Sequence, residues 1–234
     1  MRATVCLPTY NERENLPRMI EALRPVLRDD DRVLVIDDNS PDGTGEVADA
    51  LAAAHPFVAV LHRPHKEGLG RAYIAGFERA LAEGAELVLE MDCDFSHDPA
   101  DVPRLIEAAE NGADLVLGSR YVPGGGTRNW GLARRLISRG GSVYTGLFLH
   151  MGVKDPTGGF KCFRRQVLEQ LDLDSVTPRG YAFQIEMTYR AKQAGFKVVE
   201  IPITFVDRVV GQSKMSRSVV LEAIWRVPLL RVGR

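Results

Sequence analysis

Short, mostly apolar runs alternate with longer segments that repeat apolar residues every three or four positions. Ala3–Leu7 reads as a strand, followed by a helix from about Glu12 to Leu27. Arg32–Asp37 predicts a strand bounded by turn residues, Asp42–Ala54 a helix, and Phe57–Leu61 a strand. Leu69–Glu83 predicts a helix, Leu87–Met91 a strand, Pro99–Asn111 a helix opening on proline, and Leu115–Gly118 a strand. Repeated strand–helix units imply an α/β fold with a mostly parallel sheet flanked by helices. Ligands should then gather in the loops that follow the strands.

The pattern changes at Pro123-Gly124-Gly125-Gly126, which reads as a flexible loop or hinge. Leu132–Met151 is expected to be an arginine-bearing helix, with further helices at Val167–Leu171 and Tyr181–Ala194. Lys197–Ile201 and Ile203–Val206 read as short strands broken by Pro202. From Ser218 to Arg234 apolar residues mix with arginines, and Pro228 disfavours a continuous helix. The division expected is a catalytic domain over residues 1–206, then a basic loop and amphipathic tail over 207–234.

With 234 residues, 45% of them hydrophobic, the chain suits one large domain or a domain with an appendage. Cys6, Cys93 and Cys162 form no C-x-x-C pair, so neither a zinc site nor a disulfide framework is indicated, and a reducing, cytoplasmic setting is expected. No charged-then-apolar leader and no uninterrupted apolar 18-mer occurs, so no signal peptide or spanning helix is expected. The net charge of -1 hides an asymmetry, because residues 115–154 contain no Asp or Glu but carry Arg120, Arg128, Arg134, Arg135, Arg139 and Lys154. Such a surface suits a solvated face, a phosphate-bearing partner or an anionic membrane. Nucleic acid is not expected as a partner, since no groove-reading motif is present.

Four segments end predicted strands. Asp92-Cys93-Asp94 puts two hard carboxylates where a strand stops, a pattern suited to Mg²⁺ or Mn²⁺ with positions left for phosphate oxygens. In the loop after it, His97 reads as a turn or supporting residue rather than a ligand. Pro8-Thr9-Tyr10-Asn11-Glu12 offers a flat ring for a base and a carboxylate acceptor for ribose or base, although it equally fits a strand end and helix cap. Asp37 and Asp38 can accept from base N–H groups or ribose hydroxyls, whereas Asp42 fits a helix cap better. Lys66-Glu67-Gly68-Leu69-Gly70 lacks the full phosphate-loop pattern, and no dinucleotide G-x-G-x-x-G occurs, which disfavours a P-loop NTPase or a dehydrogenase.

Together the segments LPTYNERENLP (7–17), VIDDNSPDGT (35–44), KEGLGRAYIAG (66–76), MDCDFSHDP (91–99), GSRYVPGG (118–125), DPTGGFKCFRR (155–165) and FVDRVVGQSKMS (205–216) cover nearly the whole chain. They resemble the GT-A glycosyltransferases of family 2, and more closely the polyprenol-phosphate (dolichol-phosphate) mannosyltransferases. The central residue of D-x-D is often Ala in that family, so Cys93 is a mild departure. The resemblance implies a Rossmann-like GT-A sheet with C-terminal interfacial helices. It implies that Pro8, Tyr10, Glu12, Ile36 and Asp38 hold the nucleoside, with Asp37 adjacent and Lys66 near the nucleotide. Asp92 and Asp94 would bind the metal and donor diphosphate, with the Cys93 backbone against the donor. The third metal ligand would fall at Ser96, a poorer ligand that a bridging water would assist. Arg120, Arg208 and Lys214 would face the diphosphate or acceptor phosphate, with Arg134 a further acceptor-phosphate candidate, and Asp94, Arg120 and Arg208 are the candidate catalytic residues.

The activity implied is inverting transfer of mannose from GDP-mannose to a polyprenyl (dolichyl) monophosphate. The alternatives are a family 2 transferase using another sugar nucleotide such as UDP-glucose, and a non-catalytic sugar-nucleotide-binding subunit. An isoprenoid acceptor implies work at the cytoplasmic face of a membrane. The acid-free 115–154 stretch and Trp225, Leu229 and Leu230 are the natural contact, or these apolar residues pack on the core or a partner. Some members carry C-terminal spanning helices; without one, the chain would rely on peripheral contact or a membrane-anchoring subunit.

Overall fold

The computed structural model describes residues 1–176, 180–207, 227, 228 and 231. The first half runs β1 (Ala3–Thr9), α1 (Asn15–Leu23), β2 (Arg32–Asp37), α2 (Thr44–Ala54), β3 (Val58–His62), α3 (Leu69–Ala82), β4 (Leu87–Glu90), α4 (Val102–Glu110) and β5 (Leu115–Ser119). It continues through β6 (Gly126–Arg128), α5 (Leu132–Leu149), β7 (Lys161–Arg164), α6 (Arg165–Gln170), α7 (Gly180–Gln193), β8 (Val198–Pro202) and β9 (Thr204–Val206). Seven strands form one sheet in the order β3-β2-β1-β4-β7-β5-β8, and β6 pairs with β9 in a separate two-stranded ribbon. All pairings in the large sheet are parallel except those of β7, which runs antiparallel between β4 and β5.

Strand side chains alternate between two cores, as a period of two requires for a sheet covered on both faces. Val5, Leu7, Val33, Val35, Leu87 and Leu89 pack with α1 and α4. Cys6, Leu34, Ile36, Val88 and Phe163 face the other way, onto Tyr73 and Phe77 of α3 and Phe183 of α7. Val227 is buried in that second core, so this residue of the tail belongs to the body of the fold.

Several boundaries differ from expectation, each for a local reason. Helix α1 stops at Leu23, with Arg24 as its cap still in helical backbone, because Pro25 has no N–H to continue the ladder. Strand β1 continues through Pro8 to Thr9. Pairing with β4 ends at Cys6, so the N–H that Pro8 lacks is not needed on that side. Proline at 99 opens a single 3₁₀ turn, and α4 starts at Val102.

Strands β6 and β7 are absent from the sequence reading. The glycine run expected to hinge instead packs tightly: a Cβ on Gly125 would lie 2.4 Å from the Ser119 carbonyl oxygen. Gly126 donates its N–H to the Ile203 carbonyl and starts β6. Gly125→Ala should therefore lower unfolding free energy by about 1–3 kcal/mol, measured by urea denaturation. A variant as stable as the parent would show that the loop yields freely.

Candidate active site

Strands β2, β1 and β4 are adjacent and parallel, so the loops that follow them converge at one edge. Each loop carries one non-glycine residue in the left-handed region: Asn11, Asn39 and Phe95. Because β7 is antiparallel, it begins at that same edge, and its preceding loop (155–160) joins the cluster.

Two of the loops are tied together by Asp37. Its carboxylate accepts from the Thr9 hydroxyl at 3.3 Å and from the Ser40 hydroxyl and N–H at 2.6 and 3.1 Å. Ser40 Oγ in turn accepts the Asn11 N–H. Asp37, expected beside the nucleoside, is thus a buried tie between loops. The cap of α2 is Gly43, one residue after the expected Asp42, whose carboxylate nevertheless accepts the Thr44 N–H of the first helical residue. Ile36, expected to touch the nucleoside, has its side chain in the core, where a Cβ on Gly76 would meet Ile36 Cδ1 at 2.6 Å. Pro8 is half-buried at the strand end. Glu12 accepts from the Asn15 side chain at 2.8 Å.

Tyr10 and Lys66 come together. The Lys66 ammonium sits 3.5 Å from the Tyr10 ring centroid, over a face on which a base could stack. Asp38 is paired with Arg63, a partner the sequence reading missed; Arg63 also donates to Glu67 at 2.6 Å. Burial raises the Asp38 carboxyl above its ordinary value, and the Arg63 guanidinium opposes that rise.

Asp92 and Asp94 follow β4, while the Cys93 side chain points into the core, its thiol pushed well up by burial. The Tyr73 hydroxyl lies 3.5 Å from Asp92 Oδ1, and the Ser96 N–H donates to Asp94 Oδ1 at 3.0 Å. Ser96 itself is buried, and its carbonyl accepts the Val206 N–H. Among the described residues no cluster of three His, Cys, Asp or Glu side chains forms a complete metal site. Two hard carboxylates held one residue apart do fit a Mg²⁺ or Mn²⁺ ion that completes its shell with phosphate and water oxygens.

His97 supports this turn. Its Nδ1 accepts the Asp92 N–H at 3.3 Å, and the ring stacks on Phe160 with centroids 5.0 Å apart. Burial lowers its pKa from 6.5 to about 4, so the ring is neutral at pH 7. The unfolded chain takes up this proton more readily, so the contribution to stability is complete above about pH 6.5 and is lost as pH falls towards 4. His97→Asn keeps an acceptor for Asp92 but cannot titrate. Thermal denaturation should show a shallower loss of stability between pH 6.5 and 4 in that variant; equal slopes would exclude His97 as the source.

Two of the candidate cations, Arg120 and Arg134, are already paired. Arg120 donates from Nε and Nη2 to the two Asp155 oxygens at 2.7 and 2.6 Å, and from Nη2 to Thr157 at 2.9 Å. Both members are buried. Arg120, expected to face a phosphate, is therefore a held and largely neutralised guanidinium inside a wall of Tyr121, Trp130 and Phe205. Arg134 pairs with Asp207 at 2.6 Å and lies over the Trp130 ring. Arg208 and Lys214 lie outside the described residues, as do Trp225, Leu229 and Leu230.

Below the carboxylates, Lys161 and Glu90 are fully buried neighbours on β7 and β4, 3.5 Å apart. Lys161 donates to the Gln184 carbonyl and side-chain oxygens at 2.8 and 2.5 Å. Burial raises the Glu90 carboxyl and lowers the Lys161 ammonium. Sequence reasoning missed Asp155, Lys161 and Gln184 as partners, although Asp155 and Lys161 both lie in the DPTGGFKCFRR segment.

Residues 4–172 match the family described as glycosyl transferase family 2. The chain is 49% identical over 227 residues to a polyprenol monophosphomannose synthase of Mycolicibacterium smegmatis, covering 97% of this chain and 85% of that protein. It is also 49% identical over 227 residues to an undecaprenyl-phosphate mannosyltransferase of Micrococcus luteus, covering 97% and 93%. Among solved structures, glucosyl-3-phosphoglycerate synthase from Mycobacterium tuberculosis, in complex with Mn²⁺, UDP-glucose and phosphoglyceric acid, superposes with a TM-score of 0.72. That pair is 21% identical, with 99% of this chain and 80% of that one covered. The same enzyme with Mg²⁺ and UDP gives a TM-score of 0.71 at 21% identity, covering 99% and 79%.

Proposed function

The chain belongs to glycosyl transferase family 2, and from that membership we propose that it transfers mannose from GDP-mannose to a polyprenyl monophosphate, yielding polyprenyl-phosphate β-mannose. The near-full-length likeness to two polyprenyl-lipid mannosyltransferases supports the sugar and the acceptor. The single observation that carries the chemistry is the Asp92/Asp94 pair at the end of β4. Two carboxylates cannot accept a diphosphate without a cation between them. Mg²⁺ or Mn²⁺ held by Asp92 and Asp94 would supply charge stabilisation to the leaving diphosphate.

The rest of the reaction falls to the chain's own residues. Tyr10, Glu12, Asp38 and Lys66 line the edge beside β1 and β2 and hold the nucleoside end. His97 and Ser96 fix the carboxylate turn. Asp155 and Thr157 fix the Arg120 guanidinium, so its position costs no reorganisation when the acceptor phosphate arrives. Arg134, Arg208 and Lys214 supply further charge for the two phosphates. One acceptor phosphate oxygen forms the new bond to the anomeric carbon as the bond to the GDP β-phosphate oxygen breaks, and that electron pair leaves with GDP. The configuration inverts, from α in the donor to β in the product. A phosphomonoester oxygen is already ionised near neutral pH, so the step needs no strong general base.

A long isoprenoid acceptor places the enzyme on a membrane surface, and three buried free thiols suit the reducing cytoplasmic side. Calorimetric titration tests the donor. GDP with Mg²⁺ or Mn²⁺ is expected to bind at least about tenfold tighter than UDP, a gap of about 1.4 kcal/mol. The reverse order would point to a UDP-sugar such as UDP-glucose as donor.

A further inference from the structure

Arg63 is a buried arginine just past the end of β3, and its guanidinium holds two carboxylates at once. Nη1 donates to Asp38 Oδ1, and Nη2 donates to Glu67 Oε2 at 2.6 Å. The backbone fixes where this fork sits. Arg63 donates its N–H to the Asp37 carbonyl at 2.8 Å, and the Asn39 side chain donates to the Pro64 carbonyl at 3.0 Å. Asp38 donates its own N–H to the Thr9 carbonyl at 3.1 Å, beside Tyr10. Lys66, the neighbour of Glu67, lies over the Tyr10 ring. The stacking face and both carboxylates therefore share one corner of the site.

A guanidinium is planar and rigid, so carboxylates on its two Nη atoms are held side by side. Arg63 takes one oxygen from each, which leaves Asp38 Oδ2 and Glu67 Oε1 outside the fork. Glu67 Oε1 has the exposed His65 Nε2 at 3.5 Å, a contact open to solvent. The Arg63 and Lys66 charges favour the ionised, accepting form of Asp38 against the effect of burial. Paired acceptors discriminate among bases. Guanine presents two adjacent donors on its Watson–Crick edge, N1–H and the exocyclic amine. Uracil, cytosine and adenine each set a donor beside an acceptor there, so a second carboxylate would meet a lone pair. We propose that Asp38 and Glu67 together read guanine, Asp38 accepting from N1–H and Glu67 from the amine, and that Arg63 is the positioning residue that sets them side by side. This rests on the guanosine diphosphate donor proposed above and adds the residues that choose it.

Calorimetric titration with GDP, inosine diphosphate and UDP, each with Mg²⁺, tests this. Inosine diphosphate keeps N1–H but has no exocyclic amine. Wild type should bind GDP about tenfold tighter than inosine diphosphate. Glu67→Ala should weaken GDP about tenfold and leave inosine diphosphate within about twofold, so that the preference disappears. Glu67 is exposed, so this variant should keep the parental urea denaturation curve. Arg63→Lys keeps the charge but not the fork, and should also lose the preference for GDP over inosine diphosphate. A role in folding alone would weaken both nucleotides equally and leave their ratio unchanged. Equal wild-type affinity for the two purine nucleotides, or a wild-type ratio in Glu67→Ala, would overturn the proposal while GDP still outbinds UDP. Tighter binding of UDP than of either purine nucleotide would overturn the donor reading itself, and this inference with it.

Discussion

Asp94→Ala should reduce mannosyl transfer by at least about 1,000-fold, corresponding to roughly 4 kcal/mol of lost transition-state stabilisation. The folded protein should hardly notice. Asp94 Oδ1 accepts the Ser96 N–H, a contact worth about 1 kcal/mol of stability. Asp94→Asn separates the two roles, since its amide oxygen keeps the Ser96 contact but carries no charge for a cation. Both variants should therefore be equally inactive while differing in denaturation midpoint. The readout is initial rate at saturating donor beside urea denaturation. An Asp94→Asn enzyme with near-parental rates would remove the charge argument for the metal.

Asp155→Ala should be the most destabilising single change at the site. Arg120 and Asp155 are both buried, at 6% and 0% exposure. Removing the acid takes from a buried guanidinium the carboxylate that accepts from its Nε and Nη2, a loss of about 3–5 kcal/mol. The Arg120 N–H also loses its acceptor. Transfer should fall with it, because the guanidinium is no longer fixed by its carboxylate. A double variant, Arg120→Met with Asp155→Leu, removes both charges and should recover most of the stability. It should not recover transfer. Parental stability in Asp155→Ala would mean that the guanidinium finds another partner, and recovered transfer in the double variant would remove Arg120 from the reaction.

The parallel half of the sheet is legible in the sequence because β1 to β4 are apolar runs each followed by a helical repeat, and β5 is a fifth apolar run. Strand β7 is not, because Lys-Cys-Phe-Arg is short and carries charges at both ends. Only the structure shows that one of those charges, Lys161, is fully buried against Glu90. Pattern reading assumes that charged residues lie outside, and this cluster breaks the assumption. The glycines at 124–126 read as a hinge because composition reports backbone freedom and not close approach. At the site, spacing finds charged residues that end strands but not the opposite charges that meet them. Arg63 lies 25 residues beyond Asp38, and Asp155 lies 35 beyond Arg120. Such pairs exist only once β2 lies beside β3, and β7 beside β5. A cation found by motif, such as Arg120, is therefore read without the carboxylate that holds it.

The most direct test incubates the protein with GDP-[¹⁴C]mannose, a polyprenyl phosphate and Mg²⁺ or Mn²⁺, then extracts with organic solvent. The account predicts radioactivity in the lipid phase that requires the divalent ion, disappears with chelator, and is absent in Asp94→Ala. Lipid-phase label that persists in chelator and in Asp94→Ala would contradict the role given to Asp92 and Asp94. No label at all, with intact nucleotide binding, would contradict the donor–acceptor pair.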